Sequence, residues 1–165
     1  LFTSPMKALD FLLGYTAPML IIVIAQVTIT LAAACFFGLA ATVNIVLAVL
    51  LTALTSLLFI GIGLLCGSLM SDKAVGGVCG ALLTNVAGWL SGVFIPIDLI
   101  GGAFRTVTHI LPFYHSIETV KMALTGDFMN IPPHLAVVLA YTFVVYLIAV
   151  LAFRQKMSGD SVNGI

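Results

Sequence analysis

Long runs without any charged side chain are the feature that most restricts how this chain can fold. Four apolar runs, at about 15–37, 45–70, 75–97 and 135–153, contain no Asp, Glu, Lys or Arg. Each is close to the roughly 20 apolar residues that a helix needs to cross about 30 Å of hydrocarbon. The sequence is 62% hydrophobic and only 7% charged, whereas a soluble domain has about 25% charged residues. We therefore predict an all-α, polytopic transmembrane helix bundle with about four spans, within a membrane domain over 15–156.

Lysine and arginine beside the spans set the predicted orientation, because these residues collect on the cytoplasmic side. Arg154–Lys156 follow the last span and place the tail, 157–165, in the cytoplasm, where we expect a frayed end. An even number of spans puts both ends of the chain on the same side, so Lys7 is also predicted to be cytoplasmic. Arg105 and Lys121 oppose this assignment, because it places their segment on the outer side. The prediction is a multi-pass protein of the inner (cytoplasmic) cell membrane with a cytoplasmic C-terminus.

The ionisable residues lie outside the deep parts of the spans, and this disfavours several function classes. Carriers driven by protons or sodium usually keep an acidic side chain or a histidine at the middle of the membrane. Membrane hydrolases need a nucleophile with a base, or metal ligands. His109, His115 and His134 have no ligand partner at motif spacing, so we expect ordinary interfacial histidines and no metal or catalytic site. The sequence also has no run of basic residues that would indicate binding of nucleic acid. Because the spans offer no group for ion coupling or catalysis, we expect the energy for any transport to come from another subunit.

Small residues recur every four positions along the third span, and the second span repeats this spacing once. This interval lets helix backbones approach closely, because no large side chain stands between them. The pattern predicts helix packing within the bundle, and it also suits a face that slides against a partner during transport. The residues concerned are Gly76, Gly80, Thr84, Gly88 and Gly92, with Gly63 and Gly67 in the second span.

Uncharged polar side chains inside the spans need hydrogen-bond partners, because hydrocarbon offers none. Serine and threonine usually bond to a carbonyl of their own helix. Gln26 and Asn85 are harder to satisfy in that way, so together with Thr84 they are candidates for lining a substrate path.

The segment 99–133 has mixed polarity and divides at Pro112. The residue before a proline avoids helical geometry, so we predict two short amphipathic helices with a break between them. Each half is too short to span, and the pair therefore re-enters the membrane or lies at its outer interface. Glu118 and Lys121 are three residues apart and can pair on one helix face. A plain interfacial hairpin and an outer gate over a pathway both fit this pattern.

The order of these elements resembles the C-terminal portion of the permease subunits of type-2 ABC exporters. In that family a transmembrane helix ends in a G-x-F-x-P turn, which the sequence matches at Gly92–Pro96, including Phe94. A re-entrant pair then carries an L-P turn and a closing A-L-x-G, which are matched at Leu111–Ser116 and Ala123–Gly126. The opening, Thr3–Gly14, resembles the cytoplasmic segment that couples such permeases to their ATPase.

The resemblance implies ATP-driven export through a pathway formed by two permease halves, as a homo- or heterodimer in the lipid bilayer. ATP and Mg²⁺ would bind to a partner ABC ATPase, because this chain has no phosphate-binding glycine loop followed by Lys-Ser/Thr. It would bind no cofactor itself, and two helices would precede it in a longer protein. The coupling residues implied in the segment 1–14 are Ser4, Pro5, Lys7, Asp10 and Gly14. The outer gate implied by the resemblance contains Phe94, Pro96, Pro112, Tyr114, Glu118 and Lys121.

Two other functions fit parts of the sequence. A membrane scaffold or assembly subunit would use the same glycine ridges for packing. A secondary carrier fits less well, because the four spans lack a charge at mid-membrane depth.

Overall fold

The computed structural model describes residues 8–94 and 97–162, and nearly all of them are helical. Three of the helices described are long and apolar enough to cross a membrane, over Leu9–Phe36, Asn44–Leu69 and Phe128–Gln155. They correspond to helices α1 (Ala8–Phe36), α2 (Asn44–Leu69) and α8 (Ile131–Val162), the last together with the short turn before it. The prediction of an all-α transmembrane bundle is therefore confirmed.

The region between α2 and α8 is made of shorter helices. α3 (Asp72–Val75), a π-helix (Gly76–Leu83) and α4 (Thr84–Leu90) follow one another directly, and α5 (Ile97–Ile100) comes after a turn. α6 (Gly102–Ile110) and α7 (Pro112–Thr125) form a helix pair, and a 3₁₀ turn (Phe128–Asn130) leads into α8. These elements are the ones that position the candidate site.

The structure differs from the predicted third span, 75–97. The helical run there contains a π-helical stretch and ends at Leu90, so it does not form one uninterrupted α-helix up to residue 97. Gly76, Gly77 and Gly80 favour this irregularity, because glycine is among the weakest helix formers. The run ends before Gly92, whose φ of +78° lies in the left-handed region that ends helices.

Two helix boundaries also differ from the sequence prediction. α1 begins at Ala8 rather than near residue 15, so part of the segment expected to precede the first span is its first two turns. α8 continues past Arg154 to Val162, where the sequence predicted a frayed tail from residue 157. Arg, Gln, Lys and Met at 154–157 are all good helix formers, which explains why the helix does not stop at the first charges.

α2 and α8 run parallel, and α1 runs antiparallel to both. The start of α1 lies against the end of α8, where the rings of Phe11 and Phe153 stack with centroids 4.3 Å apart. One turn further, the Thr16 hydroxyl is 3.1 Å from the Tyr146 hydroxyl. At the opposite end of α1, Leu31 packs in one cluster with Ile131 at the start of α8. The beginning of α1 and the end of α8 consequently lie at the same end of the bundle.

The core cluster combines two alanines, one from α2 and one from α7, with three larger aliphatic side chains. Ala48 and Ala123 are fully buried, and Leu31, Leu51 and Ile131 complete the same cluster. Alanine at a helix crossing lets two backbones approach closely, which is how helices associate where burial from water cannot drive packing. α7 is thereby held along the first half of α2.

Hydroxyl side chains in the long helices bond to their own backbone, as the sequence predicted. Thr28 donates to the carbonyl of Ile24 at 2.7 Å, and Thr52 donates to that of Ala48 at 2.7 Å. Among the described residues, every buried side-chain nitrogen or oxygen has a hydrogen-bond partner. The buried polar side chains of the described helices are therefore satisfied without charges.

A candidate gate at the broken hairpin

The centre of the candidate site is the sharp break between α6 and α7. Leu111 has extended backbone angles (φ −79°, ψ 148°), and Pro112 occupies the first turn of α7, where its missing N–H costs nothing. The Ser116 hydroxyl donates to the Pro112 carbonyl at 2.9 Å. The break predicted from Pro112 is confirmed, and we call α6, Leu111 and α7 together the broken hairpin.

The tip of the broken hairpin reaches the middle of the long helices. Phe113 is buried, and its ring lies 5.9 Å from that of Phe59 in α2. The Tyr141 hydroxyl in α8 donates to the Ile110 carbonyl at 3.1 Å. Phe59 and Tyr141 both lie well inside the helices that are long enough to span, whereas Ala123 at the other end of α7 packs beside Ala48, near the start of α2. The tip of the broken hairpin therefore lies beside the middle of α2 and α8, and the other end of α7 lies near the start of α2.

α7 ends at a well-formed glycine cap. Gly126 has a φ of +82°, and its N–H and that of Asp127 bond back to carbonyls of the last turn of α7, including Asp127 to Met122 at 2.9 Å. A left-handed residue at this point is strongly favoured to be glycine. The cap ends α7, and the chain then continues through the turn at Phe128–Asn130 into α8.

Three histidines and a tyrosine gather where the broken hairpin meets the start of α8. His115 Nδ1 lies 2.8 Å from His134 Nδ1, and His115 Nε2 lies 2.8 Å from the carbonyl oxygen of His109. The Tyr114 ring packs edge-on against His109, with centroids 4.5 Å apart, and lies 6.0 Å from His134. Within the described part of the chain, no three His, Cys, Asp or Glu residues are placed to hold a metal ion.

The predicted pair between Glu118 and Lys121 is confirmed. The Lys121 ammonium lies 2.7 Å from Glu118 Oε1, with the lysine side chain 55% exposed and the glutamate 20%. An ion pair this exposed contributes at most about 1 kcal/mol to stability. Its importance is its location on the wall of a cavity.

A cavity of about 210 Å³ opens between the broken hairpin and the turn that precedes it. The hairpin contributes an imidazole, a phenol, a carboxylate and an ammonium, so the cavity has a polar wall in a largely apolar chain. The lining residues are Ser91 and Gly92 after α4, Ile97 at the start of α5, and His109, Tyr114, Glu118 and Lys121 from the hairpin. Three of the predicted gate residues thus converge at one cavity.

The remaining predicted gate residues are neighbours of the cavity-lining residues in the sequence. Pro112 forms the hairpin tip, and Phe94 packs edge-on against Trp89, with ring centroids 5.9 Å apart. Phe94 also covers Gly88, where a side chain would collide with its ring. Pro96 lies outside the described residues.

The pathway candidates occupy two different helices. Gln26 is exposed on α1, and Thr84 and Asn85 are exposed at the start of α4. The Asn85 amide donates to the Ala81 carbonyl at 2.6 Å, and the Thr84 hydroxyl donates to the carbonyl of Cys79, five residues earlier in the π-helix, at 3.1 Å. The lining role stays a prediction.

Four of the repeated glycines face open space within the described part of this chain. A side-chain carbon added at Gly63, Gly67, Gly76 or Gly80 would meet no described atom within 4 Å. The predicted packing against neighbouring helices therefore has no counterpart at these four positions in the part of the chain described. A close contact instead occurs at Gly61, which lies against Val145 and Tyr146 of α8 and which the four-residue pattern did not include.

Of the coupling residues implied by the resemblance, Asp10 and Gly14 are described. Both are exposed in the first two turns of α1, beside the stacked rings of Phe11 and Phe153. Ser4, Pro5 and Lys7 lie outside the described residues.

The histidine cluster was not found by sequence reasoning. His109 and His115 flank Pro112, and this proximity to a predicted break is the signal that the sequence offers. His134 is 19 positions from His115, and their contact depends on the turn at Gly126, which no local pattern specifies.

Comparison with known proteins gives a consistent family. Residues 1–125 match the family described as ABC-2 type transporter. Nodulation protein J of Rhizobium meliloti (strain 1021) is 25% identical over 116 residues, which are 70% of this chain and 44% of that protein. Nodulation protein J of Rhizobium leguminosarum bv. viciae is 26% identical over 106 residues, which are 64% and 41% of the two chains. No solved structure matches.

The chain spans less than half the length of these curated relatives. The family match nevertheless extends over 1–125, which includes α1, α2, the π-helical run and the whole broken hairpin. Two of the three helices that are able to span a membrane lie within the matched residues, and the third follows them. This chain, a multi-pass membrane protein, therefore belongs to the ABC-2 type transporter family.

Proposed function

We propose that this chain is part of the permease of an ATP-driven exporter. A second permease half would complete the substrate pathway, and a separate ABC ATPase would bind ATP and Mg²⁺. The observation that carries the proposal is the family match over 1–125, which covers both the implied coupling segment and the broken hairpin. Transport, and not catalysis by this chain, is the activity that this combination supports.

The proposed pathway lies on the outside of this chain rather than within it. Gln26, Thr84 and Asn85 are exposed, and the glycines of the 76–80 region face open space. A chain whose pathway candidates are exposed on its surface can form a pathway against a second permease half. The open glycine face would then allow close approach of that partner.

The broken hairpin is the proposed outer gate. It combines a re-entrant tip, held by Phe113 against Phe59, with a polar cavity on its side. A re-entrant segment lined by protein and polar groups is the form in which irregular backbone is tolerated at membrane depth. Movement of this pair would expose or cover a pathway without breaking the long helices.

The start of α1 is the proposed contact with the ATPase. Asp10 and Gly14 are exposed there, next to Lys7, Ser4 and Pro5 in the sequence. Because Phe11 stacks on Phe153 and Thr16 contacts Tyr146, a displacement of this end would act on α8 directly. In the proposed orientation this end, with Arg154, faces the cytoplasm of the inner membrane.

Copurification tests the proposal at its simplest level. The native protein that carries this chain is tagged, extracted from membranes in mild detergent and isolated, and an unrelated tagged membrane protein is the control. We expect a polypeptide with the G-x-x-x-x-G-K-S/T phosphate-binding loop to be recovered in stoichiometric amount with the permease only. Isolation of the permease without any ATPase, from membranes in which both are expressed, would count against the proposal and favour a scaffold role.

A further inference from the structure

The contact between His115 and His134 joins the broken hairpin to α8 through groups that can change charge. The two Nδ1 atoms are 2.8 Å apart, which is a hydrogen-bond distance. A hydrogen bond between two nitrogens requires one proton between them, no more and no fewer. The contact therefore depends on the number of protons that the pair carries.

The second contact of His115 fixes how these protons are arranged. His115 Nε2 lies 2.8 Å from the His109 carbonyl, and a carbonyl oxygen only accepts, so Nε2 carries a proton. In the neutral ring Nδ1 of His115 is then the acceptor, and His134 donates from its own Nδ1. The neutral pair is thus fully hydrogen-bonded.

One added proton is compatible with the same contact. His115 as an imidazolium would donate from Nδ1, and His134 would accept after moving its proton to Nε2. A second added proton is not compatible, because both Nδ1 atoms would then be donors and two positive rings would face each other at 2.8 Å. The pair can hold together with no added proton or with one, but not with two.

We propose that His115 and His134 form a pH-sensitive latch, which holds the broken hairpin against α8 at neutral pH and releases it when both rings are protonated. The latch is distinct from the general transport activity, and it would regulate the hairpin by acidity. Histidine is the residue suited to this role, because its charge changes between about pH 5 and 8.

The other titratable and charged groups around the latch are few. α6 contributes His109, whose backbone carbonyl makes the contact, and Arg105 one turn earlier. α7 contributes Tyr114 and the Glu118–Lys121 pair. The 3₁₀ turn before α8 follows Asp127, whose carboxylate accepts bonds of 2.8 and 3.1 Å from Asn130. α2 presents Phe59 at the hairpin tip and carries no Asp, Glu, Lys, Arg or His.

Release of the latch would leave the hairpin tip held by fewer contacts. The Tyr141 hydroxyl would still bond to the Ile110 carbonyl, and Phe113 would still pack on Phe59. The expected change is therefore more frequent opening of the hairpin, and not unfolding of the bundle.

Hydrogen exchange of the native protein in lipid nanodiscs tests the latch. Exchange of the α6 and α7 amides is measured between pH 7.5 and about 5, with labelling times corrected for the chemical exchange rate and with α2 as internal reference. We expect opening of the hairpin to increase on the order of tenfold on acidification, the scale of one net hydrogen bond lost. No change relative to α2 would overturn the proposal.

Four variants identify the titrating groups. His115→Asn and His134→Asn, which cannot become charged, are each expected to abolish the pH response. His109→Gln keeps the backbone carbonyl and is the matched control, which should respond like the wild type. A response that persists in either asparagine variant would overturn the proposal, as would its complete loss in Glu118→Gln.

A measurement on the unmodified protein covers the case in which a variant does not fold. In ¹⁵N-histidine spectra of the wild type, the rings of His115 and His134 are expected to become imidazolium over the same pH range in which the hairpin opens. Opening that precedes the appearance of these two imidazolium signals would overturn the latch.

Discussion

Single residues decide how closely the long helices approach. Gly61 is buried where α2 meets α8, and a side-chain carbon there would lie 2.7 Å and 2.9 Å from two ring carbons of Tyr146. That ring cannot move freely, because its hydroxyl contacts Thr16 on α1 at 3.1 Å. Gly63, two positions later, faces open space. The four-residue spacing selected Gly63 and not Gly61, because spacing alone contains no information about which helix face is covered.

Gly61→Ala is expected to destabilise the protein by about 1–3 kcal/mol, the usual cost of overpacking a close contact. Gly63→Ala is the matched control and should be neutral or slightly stabilising, because alanine is the better helix former. Reversible unfolding in detergent micelles measures both. Equal stability of the two variants would show that α2 and α8 do not approach at Gly61.

Asp10 is the described residue on which the coupling proposal can be tested most cleanly. Asp10→Asn is expected to remove most of the stimulation of the partner ATPase by the permease. The fold should persist, because the favourable contact of the carboxylate with the N-terminus of α1 is worth only about 0.5 kcal/mol. Asp127→Asn, at the opposite end of the bundle, serves as the control. Normal stimulation in the Asp10 variant would exclude a coupling role for this residue.

At the scale of elements, local sequence signals predicted the break at Pro112 well, but they did not predict the helix type or the end of the third span. Pro112 marks the boundary between α6 and α7, because proline restricts its own residue and the one before it. The π-helix at Gly76–Leu83 has no comparable signal. Hydropathy shows only that this run is apolar. Whether its backbone N–H groups bond to the carbonyl four residues back, as in an α-helix, or five residues back, as in a π-helix, depends on the packing around the run.

Phe113→Ala is expected to cost about 3 kcal/mol and to loosen the hairpin tip, since it removes a buried ring that packs on Phe59. Phe36→Ala is the control of the same residue type, because that side chain is 93% exposed within the chain. Thermal unfolding in nanodiscs reports the stability, and hydrogen exchange of α7 reports the hairpin. A loss at Phe36 as large as that at Phe113 would contradict the packing of Phe113 on α2.

At the scale of the molecule, the arrangement of the long helices agrees with the orientation that the basic residues predict. The start of α1 and the end of α8 lie together, as the predicted orientation requires. Composition alone was enough to predict the bundle, because 7% charged residues cannot cover a water-facing surface. The histidine cluster and the cavity were beyond sequence reasoning, because they depend on contacts between α6, α7 and α8 that local patterns do not encode.

The proposed orientation predicts opposite labelling of two loops. In a protein whose native cysteines are replaced, cysteine at Thr42, between α1 and α2, should react with a membrane-impermeant maleimide added outside intact cells. Cysteine at Ser71, between α2 and α3, should react only after the membrane is opened. The reverse pattern would place the start of α1 outside and would exclude its contact with a cytoplasmic ATPase.

The central claim, a permease driven by a partner ATPase, is tested most directly by ATP hydrolysis in reconstituted vesicles. The native protein that carries this chain and its copurified ATPase are incorporated into proteoliposomes, and phosphate release is followed with and without vanadate. We predict vanadate-sensitive hydrolysis that increases when the permease is present and falls back in the Asp10→Asn variant. Hydrolysis that is the same with and without the permease would contradict the claim.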